Sequence, residues 1–260
     1  EYNGGRIGLA DLSTLNDNNV DILTDNWALT AKYDREMLGG ETKLRLGYAA
    51  LQDRQDEVEA EFEYLRDARA FPEDDRYTRD LSITRLKDRE TTFALSHERD
   101  LGGAALEFGV QYLFKDRDTN ILGGRYRVTI PNAPGVRPAI PGADPVLAPS
   151  AGSLNEIQET RIDPFVMVSG GDDAVKWEAG LRYETTESKI NDATAPAAER
   201  INERDYNQLL PSAHVRWSLT EDDRITASVA RTIRRPNFNQ LSPATLRAEF
   251  GDNDFVGNPD

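Results

Sequence analysis

The sequence predicts an all-β protein, an antiparallel up-and-down transmembrane β-barrel, on three observations. Apolar and polar side chains alternate with period two, connections alternate between short and long, and Lys and Arg keep to the polar parity.

Eight strand segments follow from the alternation. In the first, Trp27, Leu29, Ala31 and Tyr33 share one face, while Ala28, Thr30, Lys32 and Asp34 share the other. The second sets Leu44, Leu46 and Tyr48 against Lys43, Arg45 and Gly47. Residues 92–97 form a short third. The fourth, from Ala104, opposes Leu106, Phe108, Val110, Tyr112 and Phe114 to Glu107, Gly109, Gln111 and Lys115, a spacing that no helix produces. Residues 161–169 form a weaker fifth, because Pro164 cannot donate to a ladder and demotes its first half. The sixth opposes Val175, Trp177, Ala179, Leu181 and Tyr183 to Lys176, Glu178, Gly180, Arg182 and Glu184. The seventh opposes Ala213, Val215, Trp217 and Leu219 to Ser212, His214, Arg216 and Ser218. In the eighth, Ile225, Ala227 and Val229 oppose Thr226, Ser228 and Ala230.

The short connections are residues 35–40, 100–103, 170–173 and 220–223, rich in Gly and Asp as tight turns require. The long ones are roughly 52–88, 116–159, 188–205 and everything after Pro236. All short turns therefore lie at one end of the strands and all long loops at the other, the asymmetry of outer-membrane barrels. Charge agrees with this. Lys43, Arg45, Lys176 and Arg182 all sit opposite the aromatic parity, and a Lys or Arg facing lipid near the midplane costs about 2–4 kcal/mol. They face a wet lumen. Tyr33, Phe114 and Tyr183, near strand ends, suit interfacial girdles.

Composition narrows the partners. The 260 residues carry a net charge of −15 and no basic run, which argues against nucleic acid. Mean hydropathy is −0.63, and no window approaches the ~18 apolar residues of a membrane helix, whereas a barrel strand needs about 9–11 residues with every second one polar. The absence of cysteine removes disulfides, thiol catalysis and Cys-based zinc sites. The chain opens on Glu1-Tyr2-Asn3-Gly4-Gly5 and ends on Asn258-Pro259-Asp260, both loop-like, so the expected unit is four consecutive hairpins of a larger barrel.

The last fifty residues add a motif. Leu210-Pro211-Ser212, then a strand and an acidic turn, then Ala230-Arg231-Thr232-Ile233-Arg234-Arg235-Pro236-Asn237-Phe238-Asn239-Gln240-Leu241-Ser242-Pro243 and later Gly257-Asn258-Pro259-Asp260 resemble TonB-dependent outer-membrane receptors. The resemblance implies about eight strands of a 22-stranded barrel, with the plug domain and the C-terminal strands absent from residues 1–260. It implies residence in the outer membrane of a Gram-negative bacterium, in contact with its lipid. It also implies active uptake of a scarce small-molecule nutrient, a ferric siderophore, a cobalamin or an oligosaccharide, with TonB engaged through the plug of the full-length protein. A passive porin, a small complete barrel and a soluble secreted β-protein share parts of the pattern.

The expected lumen lining is Lys43, Arg45, Glu107, Gln111, Lys176, Glu178, Arg182, Glu184, His214 and Arg216. Arg231, Arg234, Arg235, Pro236, Asn237 and Phe238 enter as members of the family phrase. Arg125, Tyr126 and Arg127, with the Pro-rich stretch 131–149, are the loop candidates for ligand contact. No catalytic residue, cofactor or metal is expected. His97 and His214 have no partner at metal-ligand spacing, and Gly170-Gly171-Asp172-Asp173 reads as a hairpin turn with no helix after it. Asp252, Asn253, Asp254 and Gly257 echo a calcium loop, but Val256 stands where an oxygen ligand belongs. Glu57, Glu59, Glu61 and Glu63 alternate with Val58, Ala60 and Phe62 and suit a strand rising above the membrane.

Overall fold

The computed structural model describes residues 2–4, 10–67, 75–130, 144–246 and 255–256. Its body is one sheet of nine antiparallel strands in chain order. They are β1 (Tyr2–Gly4), β2 (Ala10–Met37), β3 (Gly40–Asp67), β4 (Asp75–Asp100), β5 (Ala104–Ile130), β6 (Ala148–Gly171), β7 (Val175–Asp192), β8 (Ile201–Ser218) and β9 (Arg224–Ala230). One helical turn, α1 (Phe238–Leu241), follows, and β10 (Thr245–Leu246) pairs with β11 (Phe255–Val256). That last pair corrects the expectation that the end of the chain holds no strand. The eight expected segments correspond to β2–β9.

Register turns the alternation into two surfaces. Leu29 pairs with Tyr48, and Tyr33 with Leu44. Leu46 pairs with Phe93, Phe93 with Tyr112, and Tyr112 with Ile162. Phe108 pairs with Val166, Val166 with Leu181, and Leu181 with Pro211. Trp177 pairs with Val215, and Val215 with Ala227. Directly opposed residues share a face, so these side chains form one continuous apolar band. It stands uncovered by the chain itself, with Trp27 58%, Leu29 66% and Val229 71% exposed. Arg182 lies on the other face from Trp177 and Phe108, as the parity requires.

The strands are longer than their apolar signal. β2 and β3 each run 28 residues, although about 9–11 suffice to cross hydrocarbon. The expected long connections 52–88, 116–159 and 188–205 are therefore mostly strand, which leaves residues 68–74, 131–147 and 193–200 between strands. Above the band both faces meet water, so side-chain alternation fades while the backbone ladder continues from Gln52 opposite Asp25 to Asp67 opposite Ala10. Glu57, Glu59 and Glu61 lie in this raised part of β3. The Pro-rich stretch 131–149 is only partly described, and Pro149 already belongs to β6. The four residues Asp252, Asn253, Asp254 and Gly257 lie outside the described residues.

Pro164 does not end β6, which runs straight through it. The ladder to β7 instead skips a step there, pairing Ile162 with Thr185 and Phe165 with Arg182 while Asp163 and Pro164 have no partner. The missing prolyl N–H explains the gap.

The short turns are built by local carboxylates. Asp172 accepts from the amides of Ala174 and Val175 at 2.9 and 2.8 Å, and Gly171 supplies a φ of +119° in which a Cβ would lie 1.9 Å from the Val175 carbonyl oxygen. Those amides, Val175 first, hold the Asp172 carboxyl below its ordinary 3.8. A depressed folded pKa contributes stability above the unfolded value and loses it as pH falls through the folded one. Amide exchange at Ala174 and Val175, corrected for intrinsic rates, is expected to show constant protection above about pH 4 and a loss below it. Asp172→Asn abolishes that dependence, and an unchanged acid limb in the variant would contradict the assignment.

Candidate functional site

After β9 the chain leaves the sheet and folds back across the face that bears Arg182. The Arg231 amide donates to the Pro211 carbonyl at 3.0 Å, and its guanidinium donates to Gln208 Oε1 at 2.8 Å and to the Leu209 carbonyl at 3.3 Å, all on β8. Next, Arg235 pairs with Glu184 on β7. Phe238 then lies beneath the Arg117 guanidinium of β5, 5.6 Å from carbon to ring centroid, while Asn239 accepts a hydrogen bond from the same Arg117. Leu241 is buried with Ile157 of β6 and Ile190 of β7. Residues 231–244 are therefore a strap laid over the inner surface of β8, β7, β6 and β5.

Local sequence shapes the strap. Pro236 ends the extended run, and Asn237 caps α1 through a reciprocal pair with Gln240: each side chain accepts from the other's amide at 2.9 Å. This Asn-x-x-Gln capping box was the available signal for the turn, and a reading for strands passes over it. The far end of the strap rests in a notch of β6. There the register to β5 slips between Asn120 and Leu122, and Gly152, at φ +74°, donates its amide to Thr194 Oγ1 at 2.7 Å. A Cβ on Gly152 would stand 2.2 Å from the Pro243 carbonyl oxygen, so only glycine admits the strap here.

Beneath the strap lies a buried charge cluster. Asp163, in the Pro164 gap, is fully buried, with Arg161 Nε at 2.8 Å and Arg182 Nη1 at 3.8 Å from its carboxylate. Arg182 also donates to Gln111 Oε1 at 2.6 Å and sits over the Phe165 ring. With the Arg235–Glu184 pair alongside, the guanidinium groups and carboxylates offset one another. Arg161, Asp163 and Phe165 were not among the expected site residues. Their parity was readable, but Pro164 demoted the half of the strand that carries them.

Two recesses flank the strap on this face. One, of about 890 Å³, is lined by Asp53, Glu57, Asp80, Arg117, Arg125 and Asn239. The other, of about 500 Å³, is lined by Glu90, Lys115, Arg117, Pro236 and Phe238. Asp88 and Arg117 border both, joined by Arg117 Nε and Nη2 donating to the Asp88 carboxylate at 2.6 and 2.5 Å. A third recess, about 1160 Å³, opens near the short turns. The strap thus divides a polar surface at an Arg–carboxylate fork with an aromatic ring beside it, an arrangement that suits reversible binding of a polar small molecule.

Register sets all ten expected lumen residues on the strap's face. Lys176, Glu178, His214 and Arg216 line the recess by the short turns, and His214 hydrogen-bonds Ser228 at 2.7 Å. Lys43 ion-pairs with Glu41 at 3.0 Å and with Glu98 at 3.7 Å. Arg45 and Glu107 share the face with Gln111, Arg182 and Glu184. His97 lies on the opposite face, hydrogen-bonded to Thr42 at 2.9 Å. Of the family phrase, Arg231, Arg235, Asn237 and Phe238 anchor the strap, and Arg234 is exposed. Arg125, Tyr126 and Arg127 are not in a loop; they lie in β5, whose ladder extends well past the apolar band. Arg125 faces a recess and donates to Asp80 at 2.8 and 2.6 Å, which raises its guanidinium above the ordinary range, whereas Tyr126 points to the other face.

The family described as TonB dependent receptor-like, beta-barrel matches residues 2–260. Among solved structures, the unliganded ferric citrate transporter FecA is similar at 14% identity and a TM-score of 0.41, covering 86% of this chain and 39% of that one. BauA, the ferric preacinetobactin receptor of Acinetobacter baumannii, is similar at 11% identity and a TM-score of 0.35, covering 87% of this chain and 41% of that one. The chain thus spans about two fifths of their length. No curated protein matches it.

The notch at Gly152 tests the seating of the strap. Gly152→Ala is expected to lose about 1–3 kcal/mol in a urea titration, because it forces a side chain into left-handed backbone and against Pro243. Limited proteolysis should cut between residues 238 and 246 faster than in the parent protein. Equal cleavage rates would show that the strap does not rest there.

Proposed function

We propose a function for this chain from one premise: it belongs to the TonB-dependent receptor-like β-barrel family, proteins of the Gram-negative outer membrane. In this reading residues 1–260 are part of the wall of a receptor that takes up a scarce nutrient actively. The candidates are a ferric siderophore, a cobalamin or an oligosaccharide. The apolar band faces lipid, the strap's face lines the lumen, and the wall is completed by further strands. The open edges of β2 along Trp27–Met37, which pairs only with β3, and of β9 support that last point, because a strand edge inside a membrane needs a partner for its amides and carbonyls. A plug elsewhere in the full-length protein would supply the contact with TonB.

The observation that carries the reading is the strap. The family phrase at residues 231–243 folds onto the inner face beside Arg117, Asp88 and Phe238, and in this reading those groups stand in the path of a solute. A narrowing alone would also set the size selectivity of a passive pore, so the active reading rests on the family as well. An energised receptor uses the same groups to hold cargo until a conformational change releases it.

The test is uptake in cells that carry the full-length protein. Radiolabelled ferric siderophore, cobalamin and oligosaccharide are offered in turn, with and without a protonophore. One of the three is expected to accumulate at least tenfold less both in the deletion strain and after the protonophore. Accumulation that survives the protonophore would identify a passive porin instead. Extraction of the protein in water as a detergent-free monomer would exclude the membrane reading altogether.

A further inference from the structure

Cations on the face of the apolar band differ in how they are matched. Toward the long ends of the strands, Arg85 pairs with Asp56 at 2.5 Å, and Arg89 grips Asp116 and reaches Asp118 at 3.2 Å. At the short-turn edge, Arg35 on β2 and Arg99 on β4 also project from the band's face, since Arg35 pairs with Thr42, Thr42 with His97, and Arg99 with Leu106. Among the described residues neither has a carboxylate within ion-pair distance, since Asp34 and Glu36 beside Arg35 and Glu98 and Asp100 beside Arg99 fall on the opposite parity. Arg35 contacts the Tyr33 hydroxyl at 3.4 Å, and among the described residues Arg99 makes no hydrogen bond or ion pair. The neighbouring acids are committed elsewhere: Glu41 and Glu98 hold Lys43 on the opposite face, and Asp100 accepts from the Gly102 amide at 2.7 Å within its turn.

Beside Arg99 the surface is hollow. A groove of about 640 Å³ is lined by Met37, Leu38, Leu95, Phe108 and Val110, with Arg99 and His97 at its rim. Leu38 is 83% exposed at the tip of its turn although its φ of 56° is one that leucine rarely adopts. An exposed apolar groove with the Arg99 guanidinium in its lining, and Arg35 across β3 on the same face, matches a molecule with a hydrocarbon tail and an anionic head. Sheet spacing puts β2 and β4 about 10 Å apart, close enough for both arginines to flank one phosphate group. Arginine forks bind phosphate oxygens well, and their aliphatic stems lie comfortably along an apolar wall.

We propose that Arg35 and Arg99 bind the phosphate of a phospholipid in the periplasmic leaflet, one acyl chain of which lies in the groove along Leu95, Phe108 and Val110. The proposal rests on the membrane reading above and adds a specific lipid site at the foot of strands β2–β5. Charge complementarity selects the head, and the groove selects a chain-bearing lipid over free phosphate. Elsewhere along this rim the turn residues Asp172, Asp173, Glu221, Asp222 and Asp223 are acidic and would repel the same head.

The experiment uses the full-length protein purified in a mild nonionic detergent, with lipid retention read by native mass spectrometry. Phosphatidylglycerol and diacylglycerol of equal chain length are the probes. The parent protein is expected to retain phosphatidylglycerol at least fivefold over diacylglycerol, and inorganic phosphate at millimolar concentration should not displace it. The R35Q/R99Q double variant should lose that preference, and R35K/R99K should recover most of it. Val110→Trp, which fills the groove and leaves both arginines in place, should weaken retention as well. Equal retention of both lipids by the parent protein, or full retention by R35Q/R99Q in correctly folded form, overturns the site. Displacement by inorganic phosphate overturns the lipid in favour of a free anion. A detergent-free soluble monomer would instead defeat the membrane reading, so the two failures are distinguishable.

Discussion

The structure depends on the rule that a strand entering hydrocarbon must hand every backbone amide and carbonyl to a neighbour. Hairpins in chain order meet it with the shortest connections available, and the unbroken ladder from the Met37–Gly40 pair to the Ala10–Asp67 pair is the clearest case. Once each strand is locked to the next, direct opposition fixes which side chains share a face. Leu46, Phe93, Tyr112 and Ile162 then form an apolar row by geometry alone. The same ladder needs no apolar side chains, which is why β2–β5 persist far beyond the band into a part where both faces are charged.

Where the ladder is interrupted, the wall acquires a feature of its own. Pro164 withholds one amide, β6 and β7 skip two pairs, and Asp163 sits buried in the gap between Arg161 and Arg182. Burying such charges costs more than their attraction returns unless each is closely matched, so the cluster contributes geometry more than stability. Its matching partner comes from the strap, where Arg235 reaches Glu184. The strap in turn seats at Gly152 through a second irregularity, the register slip between β5 and β6. Two local defects in an otherwise regular sheet therefore position the element that narrows the inner surface.

Charge is distributed by the same logic. On the inner face several cations have carboxylate partners, as with Lys43 and Glu41 or Arg117 and Asp88, which balances part of the field over a polar surface. The band's face tolerates Arg35 and Arg99 only at its margin, where long side chains reach the headgroup layer.

The sequence by itself determined the strands, their order and their two faces. Period-two alternation is local, and Trp27 to Tyr33 or Leu106 to Phe114 display it without help from any distant residue. It also determined the family phrase and the placement of Lys43, Arg45, Arg182 and Glu184 on one parity. It under-read strand length, since above the band both faces are polar and the alternation disappears while backbone pairing continues. The strap was beyond local reading because Arg235, Phe238 and Leu241 meet partners that lie dozens of residues away in sequence, and only the assembled sheet brings Glu184, Arg117 and Ile157 beneath them. Tertiary structure decided that residues 231–244 lie across the wall rather than extending from it: three non-local contacts and one glycine notch, each weak alone, act together once the sheet holds them in line.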